Sequence, residues 1–385
     1  MRLPLLLAAA GTAALAAIAP LSANPHVEVS AEDMLAPYYA KLEAELDLPV
    51  APEGATLAED IVLTRIGVGS CNHQSRSQHM WAQIAKTEPQ LFLFIGDNNY
   101  GDNGWKGDAA LGTLRAAYAK QAETPELNAF RRAVPMMAVW DDHDYGFNDG
   151  GASFTPRRWS ETIFETFWGS SEEVRSRPGV YSSRMVGEDG KRTQIILLDT
   201  RFFRSDLEKM PYSEKRPPLG PYLPSDDPEK TKLGEAQWKW LEAELARPAD
   251  FRIVASSIQV LTDAHDYEAW ETLPLERSKL YRLLAAREES GLVLLSGDRH
   301  AGGIYTDSPQ EAGGEQLWEL TSSSLNLAFN DTASNTAREP DDKRLTDFIS
   351  EENFGLVEID WEARTFTLAL RGSEGEERAS RTIGW

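Results

Sequence analysis

The stretch Leu91-Phe92-Leu93-Phe94-Ile95-Gly96-Asp97-Asn98-Asn99-Tyr100-Gly101-Asp102 decides how the rest of the chain is read. Five apolar residues in a row are too few for a buried helix and read as a strand. Gly96 lets the chain turn. Asp97 then arrives at the strand's C-terminal end, where open α/β folds place their ligands. From that turn Asp97 and Tyr100 can face a single cation.

The same pattern recurs along the chain. The apolar run 134–140 ends in Asp141-Asp142-His143-Asp144, and the run 292–296 ends in Gly297-Asp298-Arg299-His300. Adjacent carboxylates just beyond a buried strand repel one another and desolvate poorly. A bound cation is the natural compensation. The run 61–68 leads into Gly69-Ser70-Cys71-Asn72-His73, with Cys71 placed as a first metal ligand; 194–198 leads into Asp199-Thr200-Arg201, and 251–256 into Ser257-Ile258-Gln259. Helices are expected over 78–87, 108–132 with a break at Pro125, 159–168, 235–246 and 276–289. Strands alternating with helices imply right-handed parallel crossovers. The stretches 316–321, 354–361 and 365–371 alternate apolar with polar residues, as antiparallel strands do. The Pro- and charge-rich stretch 209–234 reads as a lid or binding loop.

Composition bounds the function. The chain has 385 residues, 41% of them hydrophobic and 26% charged, which is ordinary for a protein that buries a real core. A formal net charge of −22 argues against a nucleic-acid-binding surface, since phosphate backbones select basic surfaces. Residues 1–23 read as a signal peptide: Met1-Arg2, an apolar stretch 3–19, and a cleavage site after Ala23. The expected product is periplasmic or secreted and has no stable membrane span once the signal is removed. An N-terminal extension, 24–60, with a helix over 31–46, would precede one catalytic domain, 61–385. The single cysteine, Cys71, forms no internal disulfide. A free thiol in an oxidising compartment is a liability unless buried or occupied.

Collected, the strand ends offer a thiol, a phenol, carboxylates, an amide and imidazoles. Soft or redox-capable metals suit thiolate and phenolate, whereas hard cations suit carboxylate and amide oxygen. The ordered set GSCNHQ, FIGDNNYGD, VWDDHD, LLDTRFFR, LSGDRHAGG, LTSSS and NFGLVEIDW resembles the alkaline phosphatase D (PhoD-like) metallophosphoesterases, from about Ile61 to the C-terminal strands. The resemblance implies an α/β fold, the calcineurin-like four-layer αββα sandwich. It implies an exported phosphoric ester hydrolase that cleaves small monoesters or diesters by attack of a metal-bound hydroxide. Phospholipase D-type diesterase action and a non-catalytic metal-binding homologue are the alternatives.

Carried over residue by residue, Cys71, Asp97, Tyr100 and His300 match the first-metal ligands, with Asp97 as the bridge. Asp142 and Asp298 match ligands of a second site, and Asp142 stands where the family usually has Asn. Two or more ions are implied, Fe3+ with Ca2+, with Zn2+, Mn2+ or Mg2+ as further candidates. His143 matches the histidine beside the leaving group, and Asp144 is expected to orient it. Arg201 matches a position near the active site and is expected to grip phosphate bidentately. Gln259 falls where many metallophosphoesterases carry a His ligand. His73 reads first as a surface residue of its turn, with contact to substrate as the alternative; His265 reads as a loop residue with a place at the pocket border as its alternative, and Trp270 as a pocket wall or core packing.

Overall fold

The computed structural model describes residues 30–211, 213, 220–288 and 291–385. The expected signal segment, His26 and part of the 209–234 insertion lie outside the described residues. The strands are β1 (Arg65–Gly69), β2 (Leu91–Ile95), β3 (Met136–Val139), β4 (Ser182–Val186), β5 (Thr193–Leu198), β6 (Glu208–Lys209), β7 (Tyr222–Leu223), β8 (Phe251–Ser256), β9 (Gly291–Ser296), β10 (Gly302–Asp307), β11 (Leu317–Ser322), β12 (Asn353–Asp360), β13 (Thr365–Gly372) and β14 (Glu377–Gly384). They form one six-stranded sheet in the order β14-β13-β12-β1-β2-β3, a second in the order β10-β11-β9-β8-β5-β4, and a small β6-β7 ribbon.

Two parallel blocks lie at the heart of these sheets. β1, β2 and β3 run parallel in the first sheet. β5, β8, β9 and β11 run parallel in the second. Parallel strands bring all their C-terminal ends to one edge, which is why six polar turns, far apart in sequence, can meet there.

The layers follow from the period-2 alternation of side chains along a strand. In β2, Leu91, Leu93 and Ile95 join the central core between the sheets, with Ile195, Leu197, Ile253, Val293 and Leu295 from the other side. Phe92 and Phe94 point the opposite way, onto the helices Met80–Lys86 and Pro125–Ala133. Ile196, Leu198, Val254 and Leu294 face the helices Gly234–Leu245 and Pro274–Ala285. Helix, sheet, sheet, helix is the expected four-layer αββα sandwich. Both faces of each sheet are covered, so the parallel strands are apolar on both sides, as such strands must be.

The segment before β1 packs onto this body. Ser30 caps the helix Ala31–Glu45 by accepting from Asp33 N. Glu32 pairs with Arg157 and Arg158, and Tyr39 stacks on Trp159 with ring centres 5.7 Å apart. Besides the small β6-β7 ribbon, three strands are absent from the sequence reading, and all three are edges of the six-stranded sheets: β4, β10 and β14. β4 and β14 carry few apolar residues because an edge strand leaves surface exposed, and β10 opens on Gly302-Gly303, which reads as a turn.

Candidate metal centre

Three of the strand ends, those of β1, β2 and β9, contribute through strained turns. Cys71, Asp97, Asp298 and His300 all have left-handed backbone, with φ of 56°, 47°, 69° and 49°. Such a conformation is uncommon without glycine, costs of order 1–3 kcal/mol, and clusters at functional sites. Two glycines let turns pack closely, one between neighbouring strands and one across the two sheets. A Cβ on Gly96 would meet the Asp141 Cβ at 2.6 Å, and one on Gly297 would meet Ser70 Oγ at 2.5 Å.

One half of the site is built around Asp97 Oδ2. Cys71 Sγ lies 3.2 Å from it, and Tyr100 Oη donates to it at 3.2 Å. Tyr100 Oη is also 2.9 Å from His300 Nε2, which crosses from the other sheet. Cys71, Asp97 and His300 offer ligand atoms within 4.8 Å of one another. Ser323 ties the two sheets behind this group: its Oγ accepts from His300 N at 2.9 Å and lies 3.1 Å from Cys71 Sγ.

The other half is acidic. Asp97, Asp141, Asp142 and Asp298 form a second group within 4.8 Å, and Asp142, Asp149 and Glu268 a third. Asp97 belongs to both halves, as a bridge requires. The backbone N–H groups of His143 and Asp149 donate to Asp142, at 2.9 and 2.7 Å. Arg201 Nε reaches Asp141 Oδ1 at 2.5 Å, its Nη1 pairs with Glu268, and Arg204 Nη2 lies 3.0 Å from Glu268 Oε1. Arg201, Asp141 and Glu268 are all buried.

Charge in this pocket is only partly compensated. Burial, then the Cys71 sulfur, pushes the Asp97 carboxyl well above its usual range. Burial, then Asp141 and Asp142, does the same to Asp298. Burial raises Cys71 to about 11 and Asp141, against Arg201, to about 6. Burial alone would lower His143, but Asp142, Asp97 and Asp102 outweigh it and hold the imidazole up to about 11. Among the described residues, Asp141 Oδ2 is buried with no hydrogen-bond partner. The raised carboxyls of Asp97 and Asp298, a thiol and a phenol that resist ionisation, and an orphaned carboxylate oxygen together fit a set of bound cations, which would supply the missing positive charge.

The PhoD-like phosphatase family model matches residues 180–370. Over that segment the chain resembles the PhoD-like phosphatases. Alkaline phosphatase D of Bacillus subtilis (strain 168) is 23% identical over 331 residues, 73% of this chain. The chain spans about half, 54%, of that relative's length. The solved structure of PhoD matches with a TM-score of 0.67 at 18% identity, over 88% of this chain and 71% of that one. Purple acid phosphatase PPD1 from yellow lupin (Lupinus luteus) seeds matches at 0.55, with 14% identity over 88% of this chain and 55% of its own. GAP50, the anchor in the inner membrane complex of Plasmodium, matches at 0.53, with 13% identity over 84% of this chain and 89% of its own. These structural likenesses concern the fold, which hosts an anchor as well as phosphatases.

Three roles expected of this PhoD-like chain are corrected by its geometry. Asp144 does not orient His143; its carboxylate accepts from Asp141 N at 2.8 Å and Asn98 Nδ2 at 2.6 Å and closes a capping box. Asp102 orients His143, with Oδ1 2.8 Å from Nδ1. Arg201 is fully buried on Asp141 and Glu268, a strut behind the acids rather than a grip on phosphate. Gln259 bonds His265 Nε2 at 3.1 Å and Thr321 Oγ1 at 3.0 Å, so protein neighbours hold both ends of its amide.

Asp102, Asp141, Asp149 and Glu268 were missed as site residues. Asp102 stood in the opening stretch, five residues past Asp97, and its match to His143 needed the fold. Glu268 lies in the 262–274 loop, with no strand end to flag it. His73 does border the centre, its ring stacked 5.3 Å from Tyr100, while His265 and Trp270 are buried.

Proposed function

We propose that this chain is an exported metallophosphoesterase that hydrolyses small phosphate esters. The observation that supports it most is the meeting of Cys71, Asp97, Tyr100 and His300 with Asp142 and Asp298 at the common edge of both sheets, with His143 beside them. Cys71, Asp97, Tyr100 and His300 would hold one ion, which the resemblance makes ferric iron, a redox-capable metal that thiolate and phenolate suit. Asp142 and Asp298, with Asp97 between, would hold a harder divalent ion such as calcium. Bound cations of this kind supply Lewis acidity toward a phosphoryl group. His143, charged and held at Nδ1 by Asp102, has Nε2 left to donate toward a departing oxygen. Arg201 and Arg204 keep the acids in place without touching substrate.

The same fold in an anchor protein makes the non-catalytic reading a real alternative, since function lives in the site and not the fold. The His143–Asp102 pair favours the enzyme, because a purely structural metal clasp has no use for a charged imidazole at its rim. Export rests on residues 1–23; no helix among the described residues is long and apolar enough to cross a membrane.

Metal analysis of the purified protein, with phosphomonoester, diester and triester substrates before and after chelation, tests the proposal. Iron with a visible thiolate or phenolate band, altered in Cys71→Ser and Tyr100→Phe, is expected. A colourless, iron-free protein of full activity would overturn the iron assignment. A metal-loaded protein inert toward every ester would favour the non-catalytic reading.

A further inference from the structure

Next to the metal centre lies a second concavity of about 330 Å³. It opens immediately beyond His300: the Phe329 ring packs on the His300 ring with centres 5.1 Å apart. Tyr267, Phe348, Arg299 and Arg338 complete its principal lining. Phe329 is 54% and Tyr267 37% exposed, so two large aromatic surfaces face water inside a hollow. Apolar surface left in water costs roughly 25 cal/mol per Å², and exposed aromatic surface in a concavity marks a ligand site more often than a packing fault.

The hollow is built, not frayed. Phe329 is carried by a turn whose next residues, Asn330 and Asp331, are both left-handed, with φ of 61° and 65°. Asn330 N donates to Ser350 O at 2.7 Å, Asn335 Nδ2 donates to Asn330 O at 2.7 Å, and Asp331 caps the helix Thr332–Arg338. Arg299 is engaged from three sides: its guanidinium lies 4.6 Å from the Tyr267 ring centre and 5.6 Å from that of Phe348, and it pairs with Glu339 at 2.5 Å. Arg338 is exposed and forms no ion pair among the described residues. The hollow therefore offers flat apolar faces and one available cation, beside a centre that would hold a phosphoryl group.

We infer that this hollow receives the alcohol portion of the substrate and selects esters that carry a planar aromatic group there, of which nucleotides are the common kind. The inference rests on the phosphoesterase reading above. A volume of about 330 Å³ suits a small ligand and is too small for a macromolecule. Phe329 would stack on the ring, Tyr267 would face it, and Arg338 would meet polar or anionic groups at the outer end.

The test compares kcat/KM for a nucleoside 5′-monophosphate with that for glycerol 3-phosphate, in the metal-loaded wild type and in Phe329→Ala. Base–aromatic stacking sets the expected scale: the preference for the nucleotide over the alkyl ester should fall about five- to a hundredfold, chiefly through KM. Tyr267→Ala, on a separate wall, should shift the same preference in the same direction without removing the ring that packs on His300. If the wild type turns over both esters and neither variant alters the preference, or if Phe329→Ala slows both esters equally, the aromatic subsite is wrong while the phosphoesterase reading stands. If the metal-loaded wild type turns over neither ester nor any other phosphate ester, the phosphoesterase reading itself fails, and this inference falls with it.

Discussion

The two halves of the centre solve the problem of buried charge differently. Around Cys71, Tyr100 and His300, the groups bond one another and meet at Asp97, with no arginine among these contacts. Burial keeps the thiol and phenol protonated, so this half is nearly neutral until something displaces the protons. Around Asp141, Asp142 and Glu268, charge is matched by charge, through Arg201, Arg204 and His143. The first half would gain charge only as a cation displaced its protons, whereas in the second Arg201, Arg204 and His143 already brace the acids. A buried pair tolerates the loss of a partner badly, because the remaining charge is left uncompensated.

The most damaging single change strikes the residue shared by both halves. Asp97→Asn should remove metal and turnover together, measured by metal analysis and steady-state rates. Retention of both metals with near-normal turnover would remove the bridge from the scheme. His143→Ala should keep the metals and lose turnover by roughly 10²–10⁴-fold, the usual share of a general acid. The loss should be larger for alkyl than for nitrophenyl esters, since nitrophenolate leaves unaided. Asp102→Asn should follow the same leaving-group pattern at smaller amplitude, and a pattern indifferent to the leaving group would show that the pair only props the turn.

Arg201→Ala tests the bracing directly. It leaves Asp141 and Glu268 buried without their partner, so chemical denaturation of the metal-free protein should show a loss of about 3–5 kcal/mol. Added divalent cation should recover part of that loss if the acids then bind it more tightly. Lys232 tests the surroundings of the acidic half through pH. Its amine is buried on Ala269 O and Thr272 Oγ1 behind the acidic half, and burial, reinforced by Arg204, lowers it to about 7. An unfolded lysine titrates near 10.4. Between those values the unfolded chain holds a proton that the folded chain has released, so stability rises with pH at up to about 1.4 kcal/mol per unit. The stability of Lys232→Met relative to wild type should therefore be most favourable below pH 7 and decline toward pH 10. A difference independent of pH would show that Lys232 stays charged.

Much of this site was legible because buried parallel strands announce themselves as apolar runs, and the residue after each run is where ligands sit. Cys71, Asp97, Asp142, Asp298 and His300, which the fold brings together, all stand there, with Tyr100 close behind. What stayed hidden were relations between loops. Nothing in the order of residues says that Asp102, rather than the adjacent Asp144, meets His143, because the short helix Asp142–Tyr145 turns Asp144 back onto its own N-terminus. Arg201 read as a phosphate ligand since a cation after a strand end looks available; burial against Glu268, 67 residues later, makes it a strut. The edge strands were illegible for a related reason: their alternation is diluted by residues that face solvent.

The left-handed turns at Cys71 and Asp97 belong to one sheet, those at Asp298 and His300 to the other. An ion shared between them is a clasp across the seam of the sandwich. A chain that reaches its final compartment empty must hold its sheets together at that edge by Ser323, Arg201 and the apolar layer alone. Capture of an ion would then be the last step of maturation and would close that seam, so resistance to proteolysis at that edge and the ability to turn over substrate should arrive together.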